Sequence, residues 1–91
     1  MEIVFKKPFK FEGNEYNKLD IDLDAMTGKD ITDELNILSN TGHISASAPL
    51  DVTFQAHLAA RAAKQPVELI MALPAPEFMH ICQRVQNFLL S

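Results

Sequence analysis

The last third of the chain constrains the fold most, because prolines cut it into pieces and hydrophobic spacing dictates what each piece must be. Pro66 and the pair Pro74/Pro76 divide residues 58–90 into three helical segments. In the last of them Phe78, Ile81, Cys82, Val85, Phe88 and Leu89 follow the i, i+3, i+4, i+7 spacing of one helix face. His80, Gln83, Arg84 and Asn87 repeat that spacing on the opposite face. A helix built this way must lay its apolar stripe on something. The Ala-rich stretch before it is the natural floor, because Ala side chains let helix axes come close. The pattern predicts a helix over 75–90 and a short one over 66–72.

The start of the chain has the other periodicity. Ile3, Phe5, Phe9 and Phe11 occupy odd positions, as in a strand with one buried face. Pro8 interrupts this arm and marks it as an edge strand or as bulged there. Glu12-Gly13-Asn14-Glu15 reads as the turn, since Gly and Asn tolerate positive φ. Leu19-Asp20-Ile21-Asp22-Leu23-Asp24 alternates strictly and is expected to be the second arm, with its carboxylates facing water. A β-hairpin over 1–25 follows.

Thr27 can cap a helix over 27–41, with Asp30 as the acidic member of a short capping box. Ile31, Leu35 and Leu38 form its stripe, Ile37 lies off it, and Gly42 is the stop signal. Residues 43–48 read as loop. Pro49 suits the first turn of a helix over 49–64. There Leu50, Phe54 and Leu58 form an i+4 ladder, widened by Ala56, Ala59, Ala60 and Ala63. Thr53, His57, Arg61 and Lys64 gather on the remaining side. So wide an apolar arc implies a central helix touched from two directions. The expectation is one α+β domain over 1–91: an N-terminal β-hairpin packed on a small bundle of three main helices and one short helix.

Composition excludes several classes. Apolar residues make up 47% of the 91, as in a globular protein. A net charge of −4 disfavours a nucleic-acid partner. The longest apolar run, Leu69–Leu73, is far short of the ~20 residues of a membrane span. The N-terminal residues do not read as a signal peptide, and the single Cys82 leaves no intrachain disulfide, so a soluble protein of a reducing compartment is expected.

The candidate sites mostly reduce to structure. Asp20, Asp22 and Asp24 begin like a calcium loop, but Ala25 and Ile31 stand where the Gly and the bidentate Glu belong. His43, His57 and His80 fall on separate elements without helix-spaced partners, so no metal site is expected and surface histidine is the reading for His57 and His80. Cys82 reads as a small core residue. Thr27-Gly28-Lys29 is too little for a P-loop. No nucleophile, base and oxyanion site come together, and no cofactor is implied. Lys6 and Lys7, with Lys10, either protect an edge strand or meet a partner.

In order and spacing, Phe5-Lys-Lys-Pro-Phe-Lys-Phe-Glu-Gly-Asn-Glu-Tyr16, Leu23-Asp-Ala-Met-Thr-Gly-Lys-Asp-Ile31 and the segments 59–68, 73–78 and 85–89 resemble the small tail assembly chaperones of tailed bacteriophages and prophages. The likeness spans nearly the whole chain outside the 43–50 loop. Lys64-Gln65 departs from a frequent Gly-Leu, so a helix end without its left-handed cap is expected there. Pro76 replaces a frequent charge. The resemblance implies a non-enzymatic protein of the bacterial host cytoplasm, absent from the finished virion. Such a protein binds the tape-measure protein and assists tail-tube subunits. Met79 and Leu90, flanking the main stripe, and Phe88 and Leu89 beside them are the residues expected to meet a partner or a second copy; Lys6 and Lys7 are the alternative edge. A structural head–tail or tube component and a small regulatory protein-interaction domain are the other readings.

Overall fold

The structure, a computed structural model, describes residues 1–91. Two antiparallel strands, β1 (Glu2–Phe11) and β2 (Asn14–Asp20), precede four helices: α1 (Gly28–Asn40), α2 (Val52–Ala63), α3 (Val67–Met71) and α4 (Ala75–Leu90). The fold is α+β, as the two periodicities require. Helix α2 is the hub and packs against α1, α3 and α4. The Ala floor is real: Ala56, Ala59, Ala60 and Ala62 are buried, together with Phe54 and Leu58. Ile81, Cys82 and Val85 of α4 are buried, and Phe78, Phe88 and Leu89 pack on the core from its margin. No helix is long and apolar enough to cross a membrane.

In the hairpin Ile3 pairs with Leu19 and Val4 with Lys18, but further along Phe9 pairs with Tyr16. Residues 5–8 therefore face the single residue Asn17. This wide bulge holds Pro8, whose missing N–H cannot join a ladder. Phe5 stays buried, and Phe9 lies edge-on to it with ring centroids 6.4 Å apart.

The elements differ from the sequence reading at their ends. The turn is two residues, Glu12 (φ 50°) and Gly13 (φ 82°), and Asn14 already pairs with Phe11. Both φ values are positive, as in the tight turn that suits the twist of a hairpin, so Glu12 rather than Asn14 bears the strained position. The second arm stops at Asp20, and Leu23–Ala25 curls into a 3₁₀ turn. Ile21 and Leu23 nevertheless remain buried, and Asp20, Asp22 and Asp24 are exposed. The period-2 pattern thus reports the buried side of an extended chain beyond the last strand pair.

Helix α2 begins at Val52, not at Pro49. Ala48–Leu50 form a separate 3₁₀ turn and Asp51 caps the helix, so Leu50 leaves the expected ladder and is exposed. The left-handed cap at the end of α2 is present: Lys64 itself takes φ 56°, ψ 42°, and the Gln65 N–H reaches back to the Ala60 carbonyl at 3.0 Å. At the end of α1 the residue in the left-handed conformation is Gly42, as expected, with the His43 N–H on the Leu38 carbonyl.

Candidate functional site

Four polar or apolar constellations stand out, and two of them are structural fasteners. The first joins α1 to α2. Arg61 projects from α2 onto three carboxylates of α1: Nε donates to Asp30 and Nη1 to Glu34, each at 3.0 Å, and Nη2 to Asp33 at 3.5 Å. Lys29 holds Asp33 from the other side at 2.8 Å. His57, one turn before Arg61, brings Nδ1 to 3.5 Å from the second Glu34 oxygen. Hydrogen bonds from Arg61 to Glu34 and then to Asp30 raise the guanidinium's pKa further above its ordinary value. Glu34 is buried on the inner face of α1, so the polar side of α2 faces α1 rather than water. His57 is consequently not a free surface histidine, whereas His80 is exposed.

The second fastener closes the 43–51 loop. Asp51 Oδ1 accepts from the backbone N–H of Thr53 at 2.9 Å and of Phe54 at 3.4 Å, which caps α2. Its Oδ2 accepts from Ser45 Oγ and lies 2.6 Å from His43 Nε2. Burial works to raise the carboxyl's pKa, but the bonds from Ser45, His43, Phe54 and Thr53 outweigh it and hold the group down at about 2. These are the residue types of a hydrolytic triad in the wrong order. Ser45 and His43 both address one carboxylate oxygen, so the imidazole is not set to take the hydroxyl proton. The arrangement anchors a loop. Sequence reasoning missed both fasteners because their partners lie on different elements. A usable signal existed for the first: Asp30/Glu34 and His57/Arg61 are each spaced i, i+4, which matches two helix faces of opposite charge.

The third constellation is a flank of α4 that begins and ends in an exposed apolar residue, with two glutamines between. Met79, Gln83, Gln86 and Leu90 recur at i, i+4, i+7 and i+11 and share one side of the helix. The segment before α2 runs along that side. Gln55, itself buried, donates from Nε2 to the Pro49 carbonyl and to Gln86 Oε1 at 3.5 Å, and Cys82 Sγ sits 3.8 Å from the Val52 carbonyl. On α4 the exposed side chains of Met79 (52%) and Leu90 (59%) stand a turn before Cys82 and a turn after Gln86, and the segment making these contacts carries exposed Leu50 (58%) and Val52 (43%). Phe88 and Leu89 lie at the core margin, half-buried. Burial pushes the Cys82 thiol up to about 11, so it is protonated and unreactive at neutral pH.

The fourth is a pocket of about 360 Å³ between the β1 bulge and the α3–α4 turn. Phe5, Pro8 and Phe9 form one wall, and Leu73, Pro74 and Pro76 the other. Lys6 and Lys7 stand on its rim, exposed. Glu77 also lines it, and its Oε2 is buried without any hydrogen-bond partner. The sequence placed Lys6 and Lys7 on an edge but gave no sign that residues 73–77 would stand opposite.

No group of three or more His, Cys, Asp or Glu side chains is arranged to hold a metal ion. No family model matches the chain, and neither a curated protein nor a solved structure does.

Proposed function

We propose that the protein is a non-enzymatic tail assembly chaperone of a bacteriophage or prophage. In this reading it acts in the host cytoplasm and is left out of the virion. It binds the tape-measure protein and keeps that long chain available while tail-tube subunits assemble. The observation that carries the reading is the α4 flank bounded by Met79 and Leu90. Single exposed apolar residues are ordinary, but Met79 and Leu90 stand a turn to either side of the contacts between α4 and the segment entering α2, and that segment itself exposes Leu50 and Val52. A flank of this kind suits an amphipathic helix laid along it, with anchors at i, i+3, i+4 and i+7. A second copy of the chain can use the same flank. The family resemblance of segments 5–16, 23–31, 59–68, 73–78 and 85–89 supplies the identity of the partner.

Co-expression with the tape-measure gene adjacent to its own tests this, read as the fraction of the long protein that stays soluble. The unmutated protein is expected to raise that fraction, and Met79→Glu with Leu90→Glu to abolish the gain while leaving the fold intact. Lys6→Glu with Lys7→Glu is expected to preserve it. Absence of any binding by the unmutated protein would remove the chaperone reading. Retained activity in the Met79/Leu90 pair would move the contact away from α4.

A further inference from the structure

The pocket between the β1 bulge and the α3–α4 turn is apolar inside and cationic at its mouth. Phe5, Phe9 and Leu73, with three prolines, wall its space of about 360 Å³. Lys6 and Lys7 are exposed on the rim. Neither forms an ion pair within the fold, whereas Lys18 lies 3.2 Å from Glu2 and Lys29 2.8 Å from Asp33. Glu77, the one acid of the lining, has its Oε2 buried, so the ammonium groups are the accessible charges. In a chain of net charge −4 this is a local exception. The pocket also adjoins a strand with a free edge. The sheet has two strands, so β1 has β2 on one side only, and its pairing with β2 skips residues 5–8. No residue from 2 to 11 makes a backbone hydrogen bond outside the hairpin. Lysines on such an edge deter pairing with a like chain. A second copy paired antiparallel across the bulge would set Lys6 and Lys7 against their own equivalents, which is unfavourable. A segment that carries carboxylates meets no such barrier.

We propose that this pocket binds an extended segment of another protein in which apolar side chains are flanked by aspartate or glutamate. An apolar side chain enters between Phe5, Phe9 and Leu73, and the flanking carboxylates pair with Lys6 and Lys7. The segment's main chain bonds along the open edge of β1, as in strand addition. Charge complementarity with the two unpaired lysines sets the sign of the occupant. The unpaired main-chain edge favours a peptide over a lipid, whose acyl chain would leave those groups unused. The site is separate from the α4 flank, none of whose residues lines it. It does not depend on which protein supplies the segment, nor on the chaperone reading.

The test uses the full chain, labelled with ¹⁵N, and acetylated, amidated peptides of one design. Each carries paired leucines with one variable residue on either side: glutamate, glutamine or lysine. In a fourth peptide serines replace the leucines between glutamates. The glutamate peptide is expected to produce saturable amide shifts centred on residues 5–9 and 73–77. It is expected to bind about fivefold more tightly than the glutamine peptide at low ionic strength, as two exposed ion pairs allow, and to lose that advantage at about 1 M salt. The lysine and serine peptides are expected to bind more weakly still. Lys6→Gln with Lys7→Gln is expected to bring the glutamate and glutamine peptides to equal affinity, and Lys6→Arg with Lys7→Arg to keep the preference. Glu77→Gln is also expected to keep it, because the buried oxygen is not what the segment meets. The spectrum of each variant reports whether it is folded. Equal binding of the glutamate and glutamine peptides to the unmutated chain would overturn the proposal. So would preference for the lysine peptide, loss of the glutamate preference in folded Glu77→Gln, shifts centred elsewhere, or no shifts at all. Binding to phosphatidylglycerol vesicles with none to the glutamate peptide would overturn it in favour of a lipid surface.

Discussion

Helices α1 and α4 carry an acidic residue at the same place, the third helical position, and treat it in opposite ways. In α1 the Asp30 carboxylate accepts from the Thr27 N–H at 2.9 Å and from its hydroxyl at 3.0 Å, and Thr27 Oγ1 accepts in return from the Asp30 N–H. Those bonds from Thr27, and then Arg61, lower the Asp30 pKa against the opposing effect of burial. In α4 the equivalent residue is Glu77, and the cap residue is Pro74, which has neither an N–H nor a hydroxyl. One carboxylate is closed into a hydrogen-bonded cap and the other has a buried oxygen with no partner beside an apolar pocket. The difference traces to one residue, Thr against Pro, at the helix entry. It separates a charge that holds the structure together from one that bonds to nothing in it.

Val85→Asp places a carboxylate at a fully buried point of α4 and has the largest expected effect. A loss of at least about 4 kcal/mol is expected, enough to leave the domain unfolded or insoluble. An unchanged melting temperature would show that the α4 stripe is not core. Arg61→Met comes next. It strands Glu34 in the α1–α2 seam with only His57 nearby. A fall in melting temperature on the order of 10 °C is expected by thermal denaturation, and a change within error would mean that the seam does not need its cation.

Asp51 provides a third helix entry, and its test is acid. Its pKa is lowered from 3.8 to about 2 on folding. A lowered carboxyl stabilises the fold fully above the unfolded value and loses that contribution as pH falls from about 4 toward 2. At most about 2 kcal/mol is at stake. Denaturant titrations across this range should show the loss, and Asp51→Asn should flatten it. A smaller effect is expected from Pro74→Ser, which supplies α4 with the cap that α1 already has. Cap gain and the lost rigidity of proline nearly offset, leaving a stabilisation of about 0.5 kcal/mol.

Much of this architecture is legible in the chain. The spacing of Phe78, Ile81, Cys82, Val85 and Leu89, the odd positions from Ile3 to Phe11, and the Thr27/Asp30 pair each encode a local structure through contacts a few residues away. What is not legible depends on distant residues or on strain. Glu12 and Lys64 adopt positive φ because the turn and the helix end demand it, not because their types prefer it. Glu34 looks like an ordinary helix-surface acid until Arg61 and His57 arrive from α2. The pocket is the extreme case. Pro8 marks a bulge and Pro74/Pro76 mark a turn, but nothing local says that the two face each other or that Glu77 lies between them. By contrast, the exposed positions of Met79 and Leu90 follow from helical spacing alone.

Glu34 carries a structural charge and Glu77 one that no bond within the fold uses. Thermal denaturation of Glu34→Gln and Glu77→Gln, measured side by side at neutral pH, separates the two. Each substitution removes a charge and keeps the side chain's shape. Glu34→Gln is expected to cost about 2 kcal/mol, since it takes the negative charge out of the Arg61 hydrogen bond in a buried seam. Glu77→Gln is expected to leave stability unchanged within about 0.5 kcal/mol or to raise it, because no bond within the protein is lost. Destabilisation by Glu77→Gln comparable to that of Glu34→Gln would contradict the claim, by showing that Glu77 is already engaged within the fold.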